Sequence, residues 1–184
     1  MDKTDIYDDI DKIKLVSLSN DITLDGFVSE YKEYEFFLKE NASDYQDKNI
    51  SFTHLLIHRA DNRIMAYMTL STDAIQLSPD EKDFSGMNEV PFSTIPALKI
   101  GKLCVDDYYK EQYRGIGSLM IDFARGFAFT VNEAGVACRF LTIDADIERN
   151  PSVVKFYEVN RFEANEKYKK RTSSISMRKD IYVM

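Results

Sequence analysis

The segment Gln112-Tyr113-Arg114-Gly115-Ile116-Gly117-Ser118 constrains this chain more than any other stretch. It separates a strand-like run, residues 97–105, from residues 116–132, where Ile116, Met120, Phe123, Phe127 and Val131 recur at helical spacing. Glycines two apart at a strand-to-helix junction let the backbone approach a ligand closely. The free N–H groups of the first helical turn then point at that ligand with the positive end of the helix dipole. Such a cradle suits a pyrophosphate, and a tight turn with no ligand is the other reading of the same residues. Two common phosphate-binding patterns do not fit. A nucleotide P-loop needs Lys-Ser/Thr after the second glycine, where Ser118-Leu119 stands. The dinucleotide fingerprint needs a third glycine where Met120 stands.

Length and composition bound the rest. At 184 residues, 44% hydrophobic and 30% charged, the chain has apolar material for one real core, and a single domain over residues 1–184 is expected. Two cysteines are too few for a disulfide framework or a four-thiolate zinc site, which predicts a reducing, cytoplasmic setting and no bound metal. No apolar run approaches the ~20 residues of a membrane-spanning helix, and the acidic N-terminus has no apolar leader, so a soluble, unprocessed protein without a membrane partner is expected. Twenty-four Lys and Arg against 31 Asp and Glu leave a net charge of -7, which disfavours general nucleic-acid binding.

Upstream of the glycine segment the elements alternate. Residues 13–16 read as a first strand. Phe27, Tyr31, Tyr34, Leu38 and Ala42 recur at helical spacing and predict an amphipathic helix over 24–42 with an aromatic stripe turned to the core. Residues 52–57 and 64–70 read as an antiparallel hairpin closed through Asp61-Asn62. His54 and His58, four apart in a strand, lie ~13 Å from each other and cannot share a metal ion. Residues 77–95, broken by Ser78-Pro79, Ser85-Gly86 and Val90-Pro91, read as a long irregular flap on the substrate side.

Residues 112–117 also match the pattern Gln/Arg-x-x-Gly-x-Gly/Ala, and here the chain resembles the GNAT superfamily of acyl-coenzyme A N-acetyltransferases. The likeness continues through a strand, residues 140–144, into Asn150-Pro151-Ser152-Val153-Val154-Lys155-Phe156-Tyr157-Glu158-Val159-Asn160-Arg161-Phe162, similar to the family's Asn-x-x-Ala-x-x-Phe-Tyr-x-x-x-Gly-Phe. It covers roughly residues 95–162. It implies an α/β (α+β) fold: one domain with a central mixed, largely antiparallel sheet, splayed at the coenzyme site and flanked by helices. Three positions depart from the pattern. Arg161 stands where glycine is usual, which predicts that Asn160 takes the left-handed turn instead. Val153 replaces alanine, and two extra residues lie in 106–111.

The resemblance implies acetyl-CoA as cofactor, leaving as coenzyme A. It places the pyrophosphate on the amides of Gln112, Tyr113, Arg114, Gly115, Ile116, Gly117 and Ser118, with Arg114 adding charge. The pantetheine arm would bond the backbone of Leu103, Cys104 and Val105, with the Val105 N–H facing the thioester oxygen. Tyr157 is the implied general acid beside the sulfur. Asn150 is implied to touch the pantetheine region, and Asn before Pro also reads as a helix cap. No glutamate lies between Leu98 and Val105 to serve as base, so Asp144, Glu89 or a water relay is the candidate. Cys104 and Cys138 read as packed apolar residues, Cys104 close enough to the thioester for reactive analogues to modify it.

The N-terminal half, in Phe36-Phe37-Leu38-Lys39-Glu40-Asn41-Ala42, Met68-Thr69-Leu70-Ser71 and residues 95–103, is similar to the toxin-type branch, which acetylates aminoacyl-tRNA. The net charge ranks that acceptor second, since the nearest basic cluster is Lys167, Lys169, Lys170 and Arg171. A primary amine, small or on a peptide and cationic, ranks first. A coenzyme-binding module without turnover is the alternative from another class, and a homodimer is expected only by analogy.

Overall fold

In the computed structural model, residues 2–167 and 173–183 are described. The chain runs through strand β1 (Thr4–Asp5), a 3-10 helix (Ile6–Lys12), β2 (Ile13–Ser17), helix α1 (Lys32–Phe36), a π-helical turn (Phe37–Asn41), α2 (Ala42–Asp47), β3 (Phe52–His58) and β4 (Ile64–Gln76). It continues through α3 (Pro79–Phe84), β5 (Thr94–Val105), α4 (Asp107–Gln112), β6 (Tyr113–Arg114), α5 (Ile116–Glu133), β7 (Phe140–Asp146), α6 (Val153–Val159), β8 (Glu163–Ala164) and β9 (Ser174–Asp180). Seven strands form one sheet in the order β2-β3-β4-β5-β7-β9-β8, and β1 pairs with β6 in a separate parallel ribbon. β2–β3, β3–β4, β7–β9 and β8–β9 are antiparallel, and β5–β7 is parallel through Ala97↔Phe140 to Lys99↔Thr142. The mixed, largely antiparallel sheet flanked by helices is the one expected.

Two compact units make up the chain. The first comprises Met1–Ser71 and Gly101–Phe123. Residues 53–57 of β3 and 64–70 of β4 are buried without interruption, as strands covered on both faces must be. Phe27, Phe37, Leu38, Leu55, Ile57, Ile64, Tyr67 and Cys104 close one apolar cluster, in which the Tyr67 hydroxyl donates to Tyr34 O at 2.8 Å. The hairpin turns where expected: Asn62 has φ +54°, and Asp61 Oδ1 accepts from Arg63 N at 3.1 Å. The helix predicted over 24–42 begins instead at Lys32 and runs to Asp47 through the π turn. Phe27 is core, but from a turn, because side chains claim the amides that a helix would use. Asp106 accepts from Val28 N at 2.8 Å and Glu35 from Ser29 N at 3.3 Å.

The second unit comprises Thr72–Ile100 and Ala124–Met184. Ile75, Leu77, Ile95, Ala97 and Phe140 form an apolar cluster in it. The irregular flap expected over 77–95 contains a regular element, α3, opened by a capping box in which Ser78 and Glu81 exchange hydrogen bonds and Pro79 takes the first turn. Glu81 is 3% exposed, and its Oε1 accepts from Arg178 Nη1 at 2.6 Å and from Glu166 N at 3.0 Å. The short helix α6 starts at Val153 rather than at Pro151. Asn150 caps the turn ahead of it, its Oδ1 accepting from Ser152 N at 3.1 Å and Ser152 Oγ at 2.6 Å. At the other end Arg161 itself takes the left-handed conformation, φ +67°, while Asn160 stays at φ −85°. Arg161 N bonds Glu158 O and Phe162 N bonds Tyr157 O, each at 2.9 Å, the two bonds of a Schellman cap. Burial of the Phe162 ring against Tyr157 holds that cap without a glycine.

Candidate functional site

In the first unit β5 ends in residues 101–105, whose backbone is set by contacts from β4. Lys102 N donates to Thr69 Oγ1 at 2.9 Å, and a Cβ on Gly101 would stand 2.8 Å from that same oxygen. Asp106, fully buried, closes the strand and starts α4. Its Oδ1 accepts from Tyr108 N at 3.1 Å and Tyr109 N at 3.4 Å, and its own N–H donates to Met65 O at 2.8 Å. The extra residues between β5 and the glycines are therefore the capped helix α4. An aspartate before Asp-Tyr-Tyr-Lys is a cap signal visible in the sequence, although no helix is expected there from periodicity.

From α4 the chain takes two extended residues, Tyr113 and Arg114, then Gly115 at φ +86°, then the 18-residue α5. The first intrahelical bond runs from Leu119 N to Gly115 O at 2.9 Å. The amides of Ile116, Gly117 and Ser118 thus lie ahead of the helical ladder, at the positive end of a helix of about five turns. Any side chain at residue 115 would meet strain from the left-handed backbone and contact with Ile6 Cγ2 at 3.4 Å. This local geometry fits an anionic, phosphate-bearing ligand on backbone N–H groups. Ile116 is buried and offers only its backbone, and the Gln112 side chain turns back to Tyr108 O at 3.4 Å.

Arg114, expected to add positive charge to the loop, is paired with a carboxylate. Arg114 Nε donates to Asp5 Oδ2 at 3.1 Å, although the Arg114 side chain remains 68% exposed. Tyr113 Oη donates to Asp9 Oδ2 at 3.0 Å and Tyr7 Oη to Asp122 Oδ2 at 2.6 Å, so three carboxylates flank the segment. Nothing in the sequence marks Asp5 or Asp9, because their partners lie more than a hundred residues away.

Leu103, Cys104 and Val105 end the pleat of β5, with Cys104 facing the buried cluster and its neighbours facing the other way. Burial pushes the Cys104 thiol up to about 11, and its Sγ donates to Ser29 Oγ at 3.2 Å. That burial runs against the expected susceptibility of Cys104 to reactive analogues. Two residues earlier in the strand, Lys102 Nζ sits 4.9 Å from the ring centroids of both Tyr34 and Phe37.

Asn150 and Tyr157 belong to the second unit. Tyr157 is 5% exposed, its ring fixed edge-on between Phe156 at 5.1 Å and Phe162 at 5.4 Å. Of the two carboxylates considered as base, Asp144 pairs with Lys99 Nζ at 2.7 Å and Glu89 is exposed. His54 is buried, which lowers its pKa, and His58 Nδ1 lies 3.0 Å from Asp61 Oδ1. Among the described residues no group of three His, Cys, Asp or Glu is placed to hold a metal ion, and no helix is long and apolar enough to cross a membrane. Of the basic cluster, Lys169, Lys170 and Arg171 lie outside the described residues.

No family model matches the sequence, and no curated protein matches it. Solved structures do. A point variant of KacT superposes with a TM-score of 0.73 at 18% identity, over 90% of this chain and 94% of that one. AtaT complexed with acetyl-methionyl-tRNAfMet gives 0.73 at 18% identity over 89% and 93%, and a structure described as a bacterial toxin gives 0.75 at 17% over 92% and 90%. AtaTR has also been solved with acetyl-CoA, at a TM-score of 0.70 and 19% identity over 91% and 93%. KacT and AtaT are toxin-type GNAT acetyltransferases. With its sheet order, its β5–α4–β6–α5 passage and this likeness over nearly the whole length, the chain has the GNAT fold in the form shared by those toxin-type members.

Proposed function

We propose that this chain is an acyl-CoA-dependent N-acetyltransferase that acts on the amino group of an aminoacyl-tRNA. The observation that carries the proposal is the turn at Gly115, which opens α5 with three backbone amides ahead of its ladder, directly after β5 and α4. In this reading acetyl-CoA supplies the acetyl thioester. The amides of residues 115–118 would hold its phosphates, the backbone of Leu103, Cys104 and Val105 would align the pantetheine arm, and the Val105 N–H would be the donor offered to the thioester oxygen. The acceptor nitrogen, as a neutral amine, would form the new C–N bond while the C–S bond breaks; the Tyr157 hydroxyl would protonate the leaving sulfur, and the proton shed by the nitrogen would pass through water to restore that hydroxyl. Fixing of the Tyr157 ring by Phe156 and Phe162 suits a group whose hydroxyl must hold one position. Tyrosine-to-phenylalanine variants of both KacT and AtaT were chosen for structure determination, which supports a working tyrosine in this fold. Asn150 is assigned to the pantetheine region as a hydrogen-bonding group.

The acceptor assignment rests on AtaT, whose complex holds an acetylated methionyl-tRNA. A free cationic amine is the second reading, favoured by the net charge of -7. Thiol release from acetyl-CoA, measured across charged tRNA, polyamines, amino acids and lysine peptides, separates them. Turnover on charged tRNA alone supports the first reading and turnover on polyamines alone the second. Silence on every acceptor, with acetyl-CoA bound, would leave a coenzyme-binding module.

A further inference from the structure

The N-terminal segment, residues 4–12, lies on the glycine turn and is tied to it more firmly than a loose leader would be. Thr4 and Asp5 pair in parallel with Tyr113 and Arg114. Ile6 is fully buried, Tyr7 Oη donates to Asp122 on the first turns of α5, and Tyr113 Oη donates to Asp9. Lys3 Nζ adds a bond to Lys110 O at 2.7 Å. These contacts fix the backbone of the segment, which keeps the Asp5 side chain beside the turn. That carboxylate meets Arg114 at 3.1 Å, and its Oδ1 lies 3.6 Å from the position of a Cβ on Gly115. It also accepts from Tyr7 N at 3.2 Å, which sets its rotamer.

The consequence is electrostatic. A phosphate approaching the amides of residues 115–118 meets a negative charge beside the glycine and finds the loop's arginine bonded through Nε to that same carboxylate. We propose that Asp5 is a built-in competitor for phosphate at the glycine turn, an autoinhibitory contact that an incoming anionic ligand displaces from Arg114. The inference rests on the coenzyme reading above. It assigns the N-terminal segment a control role: any event that draws residues 4–12 off the turn, such as binding of a partner to them, would raise coenzyme affinity.

The test compares a ligand that carries phosphates with one that does not. Isothermal titration of wild type and Asp5→Asn with coenzyme A and with pantetheine is the direct experiment. Asparagine keeps the acceptor for Tyr7 N while removing the charge, and Asp5→Ser is the second variant if Asp5→Asn does not fold. At low salt Asp5→Asn should bind coenzyme A about two- to fivefold more tightly, the scale of one exposed ion pair. Pantetheine affinity should not change, and the gain should shrink with added salt and in an Arg114→Gln background. Unchanged or weaker coenzyme binding by Asp5→Asn would overturn the proposal, as would an equal gain for pantetheine. If wild type binds neither ligand, the coenzyme reading itself fails; if wild type binds coenzyme A and Asp5→Asn binds it equally, only the competitor fails.

Discussion

Replacing Glu81 with glutamine should be among the most damaging near-isosteric changes in the second unit. Glu81 and Arg178 are 3% and 5% exposed, and the charged oxygen that faces Arg178 Nη1 at 2.6 Å also accepts from Glu166 N. The other oxygen accepts from Ser78 N at 2.7 Å and completes the cap of α3. Breaking a buried pair by removing one partner typically costs about 3–5 kcal/mol, because the remaining charge stays desolvated. Here the lower end applies. Arg178 keeps Asn165 Oδ1 at 3.1 Å, Ala164 O at 3.2 Å and Glu163 at 3.3 Å, although the Glu163 side chain is 75% exposed and a weak partner. With the amide oxygen of the Glu81→Gln side chain still accepting from Ser78 N, its amide nitrogen would face two donors, Arg178 Nη1 and Glu166 N, so the loss combines the charge with two acceptor bonds. About 3 kcal/mol corresponds to a fall in midpoint of roughly 6–12 °C for a chain of this size. Far-UV circular dichroism and tyrosine fluorescence follow the transition, since the chain has no tryptophan. In a double-mutant cycle with Arg178→Leu, the two losses should fall short of additivity by about 2 kcal/mol. A loss under about 1 kcal/mol for Glu81→Gln, or additive losses, would refute the assignment of a desolvated ion pair.

Three further outcomes follow from local geometry. Arg161→Gly should stabilise the protein by about 0.5–1 kcal/mol, because an L-residue at φ +67° carries a steric cost that glycine lacks, partly offset by glycine's greater chain entropy; thermal melts would show it, and a lower midpoint would contradict it. Cys104 should resist alkylation near neutral pH until the chain unfolds, since a thiol at about 11 is almost wholly protonated and also buried; mass spectrometry of iodoacetamide-treated native protein should find it unmodified. Lys39 and Lys32, with the Ser29 N–H, hold the Glu35 carboxylate down to about 2 against an ordinary value of 4.5. Its contribution to stability is therefore present above about pH 4.5 and fades as pH falls toward 2, so acid titration of Glu35→Gln should show a shallower loss than wild type over that window.

The parts legible in the sequence are those carried by local pattern. Strand-like runs on either side of Asp61-Asn62 mark the β3–β4 hairpin, and the glycine spacing marks the turn into α5. Where expectation and structure part, tertiary contacts override period or motif. The helical spacing of Phe27 and Tyr31 is real, but Asp106, nearly 80 residues away in sequence, takes the Val28 amide and keeps that stretch a turn. Arg161 adopts the left-handed conformation because Phe162 packs under Tyr157, a contact that outweighs the preference for asparagine there. The flap differs for another reason: Ser78-Pro79-Asp80-Glu81 is a visible capping box, and its short helix is obscured by the breakers around it. At the candidate site the backbone cradle can be anticipated, whereas the carboxylates of Asp5, Asp9 and Asp122 around it cannot, since their approach depends on the whole first unit.

In the proposed function the amides opening α5 receive the phosphates of acetyl-CoA. Backbone amide chemical shifts measured through a titration with acetyl-CoA, and again with pantetheine, test it most directly. Gly115, Ile116, Gly117 and Ser118 should shift with acetyl-CoA and stay in place with pantetheine, which lacks the phosphates. Saturating acetyl-CoA binding that leaves those four amides unmoved would contradict it.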